Sequence, residues 1–465
     1  MPDLSIPETA QQVTDQALLA LQEGRDVIIR AHAGAGKTGG RTSGTIRMAA
    51  AAAAGGRRVA LLVAQNDQLV ETIRRLTDTW PALITTLVPA SSSWDAMPVW
   101  IRDRRLRAQR PNLEVARNNP VAEQRRRDGD GLFVMTLSKF GYLAPSWEDL
   151  PARTLTAVDA FDVVIVDEAW MAPAAVWRNL NHLARQVVLI GDPGQIMPWE
   201  PDSEFYPGMA GSPIEALPDL VRRERAGNVV ELDLAVTRRN PSHTTKITGL
   251  LPAYAAAPTR PMFDATEVPI TLGAAPLHHE PADGVLNTLV GAGMALYRLP
   301  GAVAPQSDRH VAAGCAQIAA RLLNLGAELG HPDGARMLTA EDIAIVVAHH
   351  DQRAAAQAAL ADAGLRGTAA PRVATFNTLQ GATVAVSIMW HPLSGRADVS
   401  AFHSDAGRLT VGLTRHTHGC VIVSRDGVGD RIAAAAVADD IEGDATDLRY
   451  AGLRAHDLVW QHVAG

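Results

Sequence analysis

The chain has 465 residues, 20% charged, 47% hydrophobic and 5% aromatic; that is a globular composition at a length that divides into two or three domains, and it excludes a disordered or fibrous protein. The formal net charge of -7 argues against a surface coated throughout for nucleic acid, although a total does not report on local patches. Two cysteines, Cys315 and Cys420, are too few and too distant for a disulfide framework or a cysteine-based zinc site, and both read as small core residues.

In chain order, MPDLSIPE carries acidic residues and no basic leader ahead of an apolar run, and the longest uncharged stretch, Met48 to Gly56, is about half of a bilayer span. A cytoplasmic protein without membrane contact is expected. An apolar run from Asp26 to Ile29 leads into AHAGAGKT and then a small-residue stretch, Ser43 to Ala54, which reads as strand, loop and helix. Lysine occurs only at Lys37, Lys139 and Lys246, so the one in this Gly-rich loop stands out. Further apolar runs at Val59 to Asn66, Leu132 to Thr136, Asp162 to Ala169 and Val187 to Asp192 predict buried parallel strands with crossover connections. Between Arg102 and Arg127 lie nine arginines, flanked by Trp94 and Trp100; this run reads either as a solvated helical face or as an arm over bound nucleic acid. The stretch from Asn240 to Asp308 is Ala- and Pro-rich with weak periodicity and reads as an insertion, and strand and helix alternation resumes from Val311.

The loop AHAGAGKT has Ala31 where a full P-loop places its first glycine, but Gly34 and Gly36 let the backbone turn its N–H groups toward phosphate. Lys37 supplies a point charge to the outer phosphates, and Thr38 is placed to ligate magnesium. In VVIVDEA two adjacent carboxylates, Asp167 and Glu168, close a hydrophobic strand, the end at which ligands sit in open parallel sheets. Asp167 suits magnesium and Glu168 suits the polarisation of an attacking water. The histidine pairs His278–His279 and His349–His350 read as surface or strand-end residues rather than ligands.

A third strand end, LIGDPGQIMP, completes a pattern that resembles motifs I, II and III of superfamily 1 helicases. In the second half TRRNP resembles the arginine-bearing motif IV, TFNTLQGAT motif V, and RLTVGLTRHTHGCVIVS motif VI, and the combination resembles the superfamily 1B branch that includes the nonsense-mediated-decay helicase. The resemblance implies an α/β fold of two tandem RecA-like P-loop NTPase domains with small insertions: residues 1–230 with motifs I, Ia, Ic, II and III and an insertion at about 81–130, then residues 231–465 with motifs IV, V and VI and an insertion at about 242–310. It also implies site residues. Lys37, Glu168, Gln195, Arg238 and Arg415 would serve catalysis, with Arg239 an alternative to Arg238. Gln12 (of Gln11, Gln12 and Gln16), Gly34, Ala35, Gly36, Lys37, Thr38 and Gly381 would hold ATP, and Thr38 and Asp167 would hold Mg²⁺. Gln65, Asn66, Thr136, Thr375 and Gln380 would touch nucleic acid, and Trp94, Trp100 or Trp199 could stack on bases or pack in the core.

Three positions depart from the family pattern. Thr383 replaces an acidic residue that contacts ribose, His416 replaces a small residue, and Trp170 stands where a polar relay to nucleic acid is common. The implied activity is an ATP-dependent helicase or translocase on single-stranded nucleic acid, DNA ahead of RNA, running 5′ to 3′. The competing class is a nucleotide-gated switch or scaffold ATPase within a multi-protein repair or phage-defence complex. A P-loop kinase or GTPase would leave the second-half motifs unexplained.

Overall fold

The computed structural model describes residues 5–117, 131–148, 160–196, 198, 215–274, 281–379, 381–438 and 448–464. Trp199, His278, His279 and Gln380 lie outside the described residues. Two compact units emerge: the first is Met1–Pro193 with Met197–Leu234, and the second is Gly194–Ile196 with Ala235–Gly465.

The first unit is built on eight parallel strands: β1 (Asp26–Ala31), β2 (Val59–Val63), β3 (Thr85–Leu87), β4 (Leu113–Val115), β5 (Leu132–Thr136), β6 (Phe161–Asp167), β7 (Ala184–Gly191) and β8 (Val229–Leu234). Their order across the sheet is β4-β3-β5-β2-β6-β7-β1-β8. Every residue of β2 and β5 is buried, which is why these central strands read as unbroken apolar runs. The entering helix α1 (Ile6–Gln22) is started by a capping box between Ser5 and Glu8 and lays Ile6, Ala10, Val13, Ala17 and Leu21 onto the core at helical spacing. Helix α2 (Gly44–Ala54) follows the Gly-rich loop, α3 (Asn66–Thr79) follows β2, and α4 (Leu137–Glu148) follows β5.

The region from 81 to 130, expected as an insertion, contributes β3 and β4 to one edge of the main sheet. Its two tryptophans are covered by arginines of the same segment: the Arg110 guanidinium lies 4.9 Å over Trp100 and that of Arg117 4.4 Å over Trp94. Arg102, Arg104 and Arg105 remain exposed.

The second unit holds five parallel strands, β9 (Met294–Leu299), β10 (Ile343–Val347), β11 (Arg372–Thr375), β12 (Val384–Trp390) and β13 (His416–Arg425), in the order β9-β13-β12-β10-β11. Small two- and three-stranded sheets complete it. Helices α5 (Ser242–Thr248), α6 (Pro281–Ala292), α7 (Arg309–Asn324), α8 (His350–Asp362) and α9 (Ala406–Leu413) are used below. The stretch 242–310, also expected as an insertion, supplies α6 and the edge strand β9, which pairs with β13 along its length. Cys315 and Cys420 are fully buried in the core of this unit, and burial lifts both thiols far above their ordinary range. No described helix is long and apolar enough to cross a membrane.

Several imidazoles are sealed into the second unit. His391 and His456 are almost fully buried with 3.3 Å between facing ring nitrogens, and burial lowers His391 to about 3 and His456 well below its ordinary value. His403, 2.7 Å from His349, is lowered to about 3 by the same cause. A histidine whose folded-state pKa is depressed takes up its proton only in the unfolded chain, so its stabilising contribution is complete above about 6.5 and is lost as pH falls below that value. Each such imidazole tilts stability by up to about 1.4 kcal/mol per pH unit. Thermal unfolding should therefore move to markedly lower temperature between pH 6.5 and pH 4; a melting temperature flat across that range would contradict the neutral, buried assignment.

Candidate nucleotide site

Residue Ala31 ends β1 as a fully buried ladder partner of Leu234. An alanine side chain belongs in such a strand position, which explains why no glycine is needed there. The chain then leaves the sheet through His32–Ser43. Gly34 and Gly36 adopt φ of 77° and 78°, left-handed values that an L side chain resists, and the Ala35 N–H donates to the His32 carbonyl at 2.9 Å.

Helix α2 does not start at Lys37–Thr38, as the shortest P-loop would have it, but at Gly44. The intervening residues form a loop closed on itself. The Gly40 N–H donates to Ser43 O at 3.0 Å, Thr45 N–H to Lys37 O at 2.9 Å and Ile46 N–H to Thr38 O at 3.2 Å. On the α1 side, Gly44 N–H donates to Thr14 Oγ1 at 3.0 Å. The first amides of α2 are thus consumed by the protein. By contrast, the N–H groups of Gly36, Lys37, Thr38 and Gly39 reach no protein acceptor among the described residues, leaving a run of donors for an anion.

Gly39 has φ 65° and a Cβ there would overlap the Ser43 carbonyl, whereas a Cβ on Gly40 would meet nothing. Gly39→Ala is expected to destabilise the first unit by about 2 kcal/mol or more while Gly40→Ala stays near neutral. Paired chemical-denaturation midpoints check this, and equal midpoints would contradict the loop geometry.

Beside the loop, β6 delivers its carboxylates. Lys37 Nζ lies 2.9 Å from Glu168 Oε1, and the Thr38 hydroxyl donates to Asp167 Oδ2 at 3.2 Å. The Glu168 N–H donates back to Asp167 Oδ1 at 3.0 Å. Glu168 has φ 58° and is the one non-glycine residue with positive φ among the described residues, a strained conformation that sets the second carboxylate apart from the strand direction. Both acids are about 95% buried. Burial, and then the neighbouring Glu168 charge, pushes the Asp167 carboxyl up to about 6 against the opposing pull of Lys37. The remaining oxygen, Glu168 Oε2, is buried with no hydrogen-bond partner among the described residues, and such an acceptor costs free energy unless a ligand or water completes it. A hydroxyl, a carboxylate and a second carboxylate at one strand end form an all-oxygen donor set, which fits a hard cation such as Mg²⁺.

Other expected residues fall as follows. Gln12 is exposed on α1, and helical geometry sets it about 200° round from Thr14, the residue of α1 that touches the loop, whereas Gln11 sits about 60° away. Gln65 and Asn66 are exposed at the N-terminus of α3. Thr136 is buried, and its hydroxyl accepts from Lys139 N–H at 3.3 Å, capping α4. Trp170 is part of the first unit's core, packed where a Cβ on Gly191 would come within 3.0 Å of its ring.

In the second unit, Gln195 is buried, and Gly407 at the start of α9 is a glycine because a Cβ there would overlap the Gln195 carbonyl. Arg415 is fully buried; its Nε donates to Val411 O at 3.3 Å and its Nη2 to Thr414 Oγ1 at 3.4 Å. Arg238 is exposed, while Arg239 is half-buried and its Nη1 donates to Thr414 O at 3.3 Å. Of the two candidates in TRRNP, Arg239 is the one brought beside Arg415. Thr375 is buried, its hydroxyl tied to that of Thr378 at 3.0 Å. Gly381 is exposed with φ 84°, and Thr383 is exposed two residues on. His416 is buried and bonded to Thr244 Oγ1 at 2.7 Å. His349 starts α8 and has no third ligand-type neighbour: among the described residues no group of three His, Cys, Asp or Glu side chains could hold a metal.

Sequence reasoning missed Asn240. It is buried, and its side-chain amide reaches the backbone on either side of Arg415. Only its place inside TRRNP could have drawn attention to it.

No protein-family model matches the chain, and no curated protein matches it in sequence. Among solved structures the chain is similar to the helicase of PRRSV, with 12% identity, a TM-score of 0.41 and coverage of 88% of this chain and 54% of that one. It is also similar to Arterivirus nonstructural protein 10 (helicase) in complex with DNA, with 13% identity, a TM-score of 0.39 and coverage of 88% and 62%. A third is the DUF1998 helicase MrfA bound to DNA, with 8% identity, a TM-score of 0.44 and coverage of 92% and 48%. The chain thus spans about half to three fifths of the length of these proteins.

Proposed function

We propose that the chain is a magnesium-dependent ATPase of the superfamily 1 helicase type that moves on single-stranded nucleic acid, DNA ahead of RNA, in the 5′-to-3′ direction. One observation carries the reading: Lys37 and Thr38, in a loop whose amides from Gly36 to Gly39 find no acceptor among the described residues, meet Asp167 and Glu168 where β1 and β6, separated in the sheet by β7, both end, with one buried carboxylate oxygen left without a partner among the described residues. The amides of Gly36–Gly39 and the Lys37 ammonium bind the phosphate chain. Thr38 and Asp167 would hold a magnesium ion, which when bound would neutralise charge on the phosphates. Glu168 Oε2 accepts a hydrogen bond from the attacking water and orients it, and Lys37 leaves Glu168 for the phosphates when nucleotide enters. Arg415, with Arg239 or Arg238, supplies fixed positive charge for the terminal phosphate during turnover. Gln11, Gln12 or Gln16 would read the base, and Gln65, Asn66, Thr375 and Gln380 would follow the strand backbone.

A second reading, the nucleotide-gated switch or scaffold ATPase in a repair or defence complex, draws support from two side chains. Trp170 is committed to the core, and the Thr136 hydroxyl to a helix cap, so both are spent inside the first unit. Steady-state ATP hydrolysis with and without single-stranded DNA or RNA, at low and moderate salt, separates the readings. Strong stimulation by one polymer, lost in Lys37→Ala, is the expected result; slow turnover indifferent to both would favour the switch, and absence of any turnover would overturn both.

A further inference from the structure

We infer that Asn240 is a positioning residue for Arg415, a role that rests on the reading of Arg415 as the arginine that serves the terminal phosphate. The Asn240 Nδ2 donates to Thr414 O at 3.1 Å and to His416 O at 3.0 Å, so a single side-chain amide holds the carbonyls of the two residues on either side of Arg415. Both of its donor hydrogens are spent on this task. The asparagine is itself fixed from below: the hydroxyl of the fully buried Thr237 accepts the N–H of Arg239 at 3.2 Å and of Asn240 at 3.1 Å, a side-chain turn that sets the direction of residue 240. Pro241 follows and opens α5. From that helix Thr244 holds the next ring along, with its hydroxyl 2.7 Å from His416 Nε2.

The packing alternative is weak on chemistry. A residue needed only to fill space between α5 and β13 could be apolar, whereas a polar amide 96% buried costs free energy unless its bonds do something specific. The bonds here go to one place, the two carbonyls that flank the guanidinium-bearing residue. Arg415 stands at the junction of α9 and β13, where the backbone passes from helical to extended geometry. A clamp at that point fixes the base of a long, flexible side chain and reduces the freedom lost when it engages an anion.

The test is a double-mutant cycle on the full chain, reading kcat and KM for ATP in the presence of single-stranded DNA or RNA, with thermal unfolding alongside. Asn240→Ala is expected to lower kcat at least tenfold with KM for ATP within about twofold, and to change kcat less than twofold when introduced into Arg415→Ala. Should Asn240→Ala not fold, Asn240→Gln, which keeps the donor on a longer arm, carries the same comparison with a smaller drop. An equal fold-loss in both backgrounds, or wild-type kcat in a folded Asn240 variant, overturns the assignment alone. Wild-type kcat in Arg415→Ala overturns the reading of the arginine itself and the assignment with it.

Discussion

Glu168→Gln is expected to lower kcat by about 10²–10⁴-fold, the range over which a positioned general base contributes, while ATP still binds. The substitution keeps the shape and the strained φ of 58° but removes the charge that pairs with Lys37 at 2.9 Å. Lys37 then has no carboxylate to leave when phosphate arrives, so affinity for ATP should stay level or rise. Nucleotide titration beside steady-state kinetics checks both halves. A variant that loses binding and turnover together would mean that Glu168 builds the pocket rather than acting on water.

Arg415→Ala is expected to reduce kcat about a thousandfold, the lower end of the range for an arginine that stabilises a transferring phosphoryl group. Arg415→Lys should recover little, because an ammonium offers neither the planar fork nor the fixed direction of a guanidinium. A full burial of 0% exposure also means that the alanine variant leaves a cavity, so thermal unfolding has to accompany the kinetics. Loss of kcat in step with loss of folded protein would assign the residue to packing.

The placement of the paired acids at the end of β6 was legible because it follows from position: an apolar run of strand length ending in two acids marks both the strand and the end at which ligands gather in open parallel sheets. The same logic read the central strands, whose two buried faces leave no polar interruption. It failed at the edges. In β8, VVELDL, exposed and half-buried positions alternate, and β9 carries an exposed Arg298, so neither looks like a buried strand. Each of β3 and β4 has three residues, below the length at which periodicity speaks. Whether Arg238 or Arg239 approaches Arg415 is a matter of which side of a two-residue turn faces inward, and side-chain type is identical at both. Asn240 could not be read at all, since its partners are backbone carbonyls 174 and 176 positions away and carbonyls leave no mark in a sequence.

The membership of Gly194–Ile196 in the second unit has a consequence for biogenesis and for ancestry. During N-to-C synthesis the first unit's sheet can be completed at Leu234, yet the Gln195 segment has nothing to dock on until Gly407 and Tyr254 have both left the ribosome. A fragment starting at Ala235 would lack the segment that packs against Gly407 and Tyr254. Recombination between Leu234 and Ala235 would therefore hand on the second unit without one of its own segments.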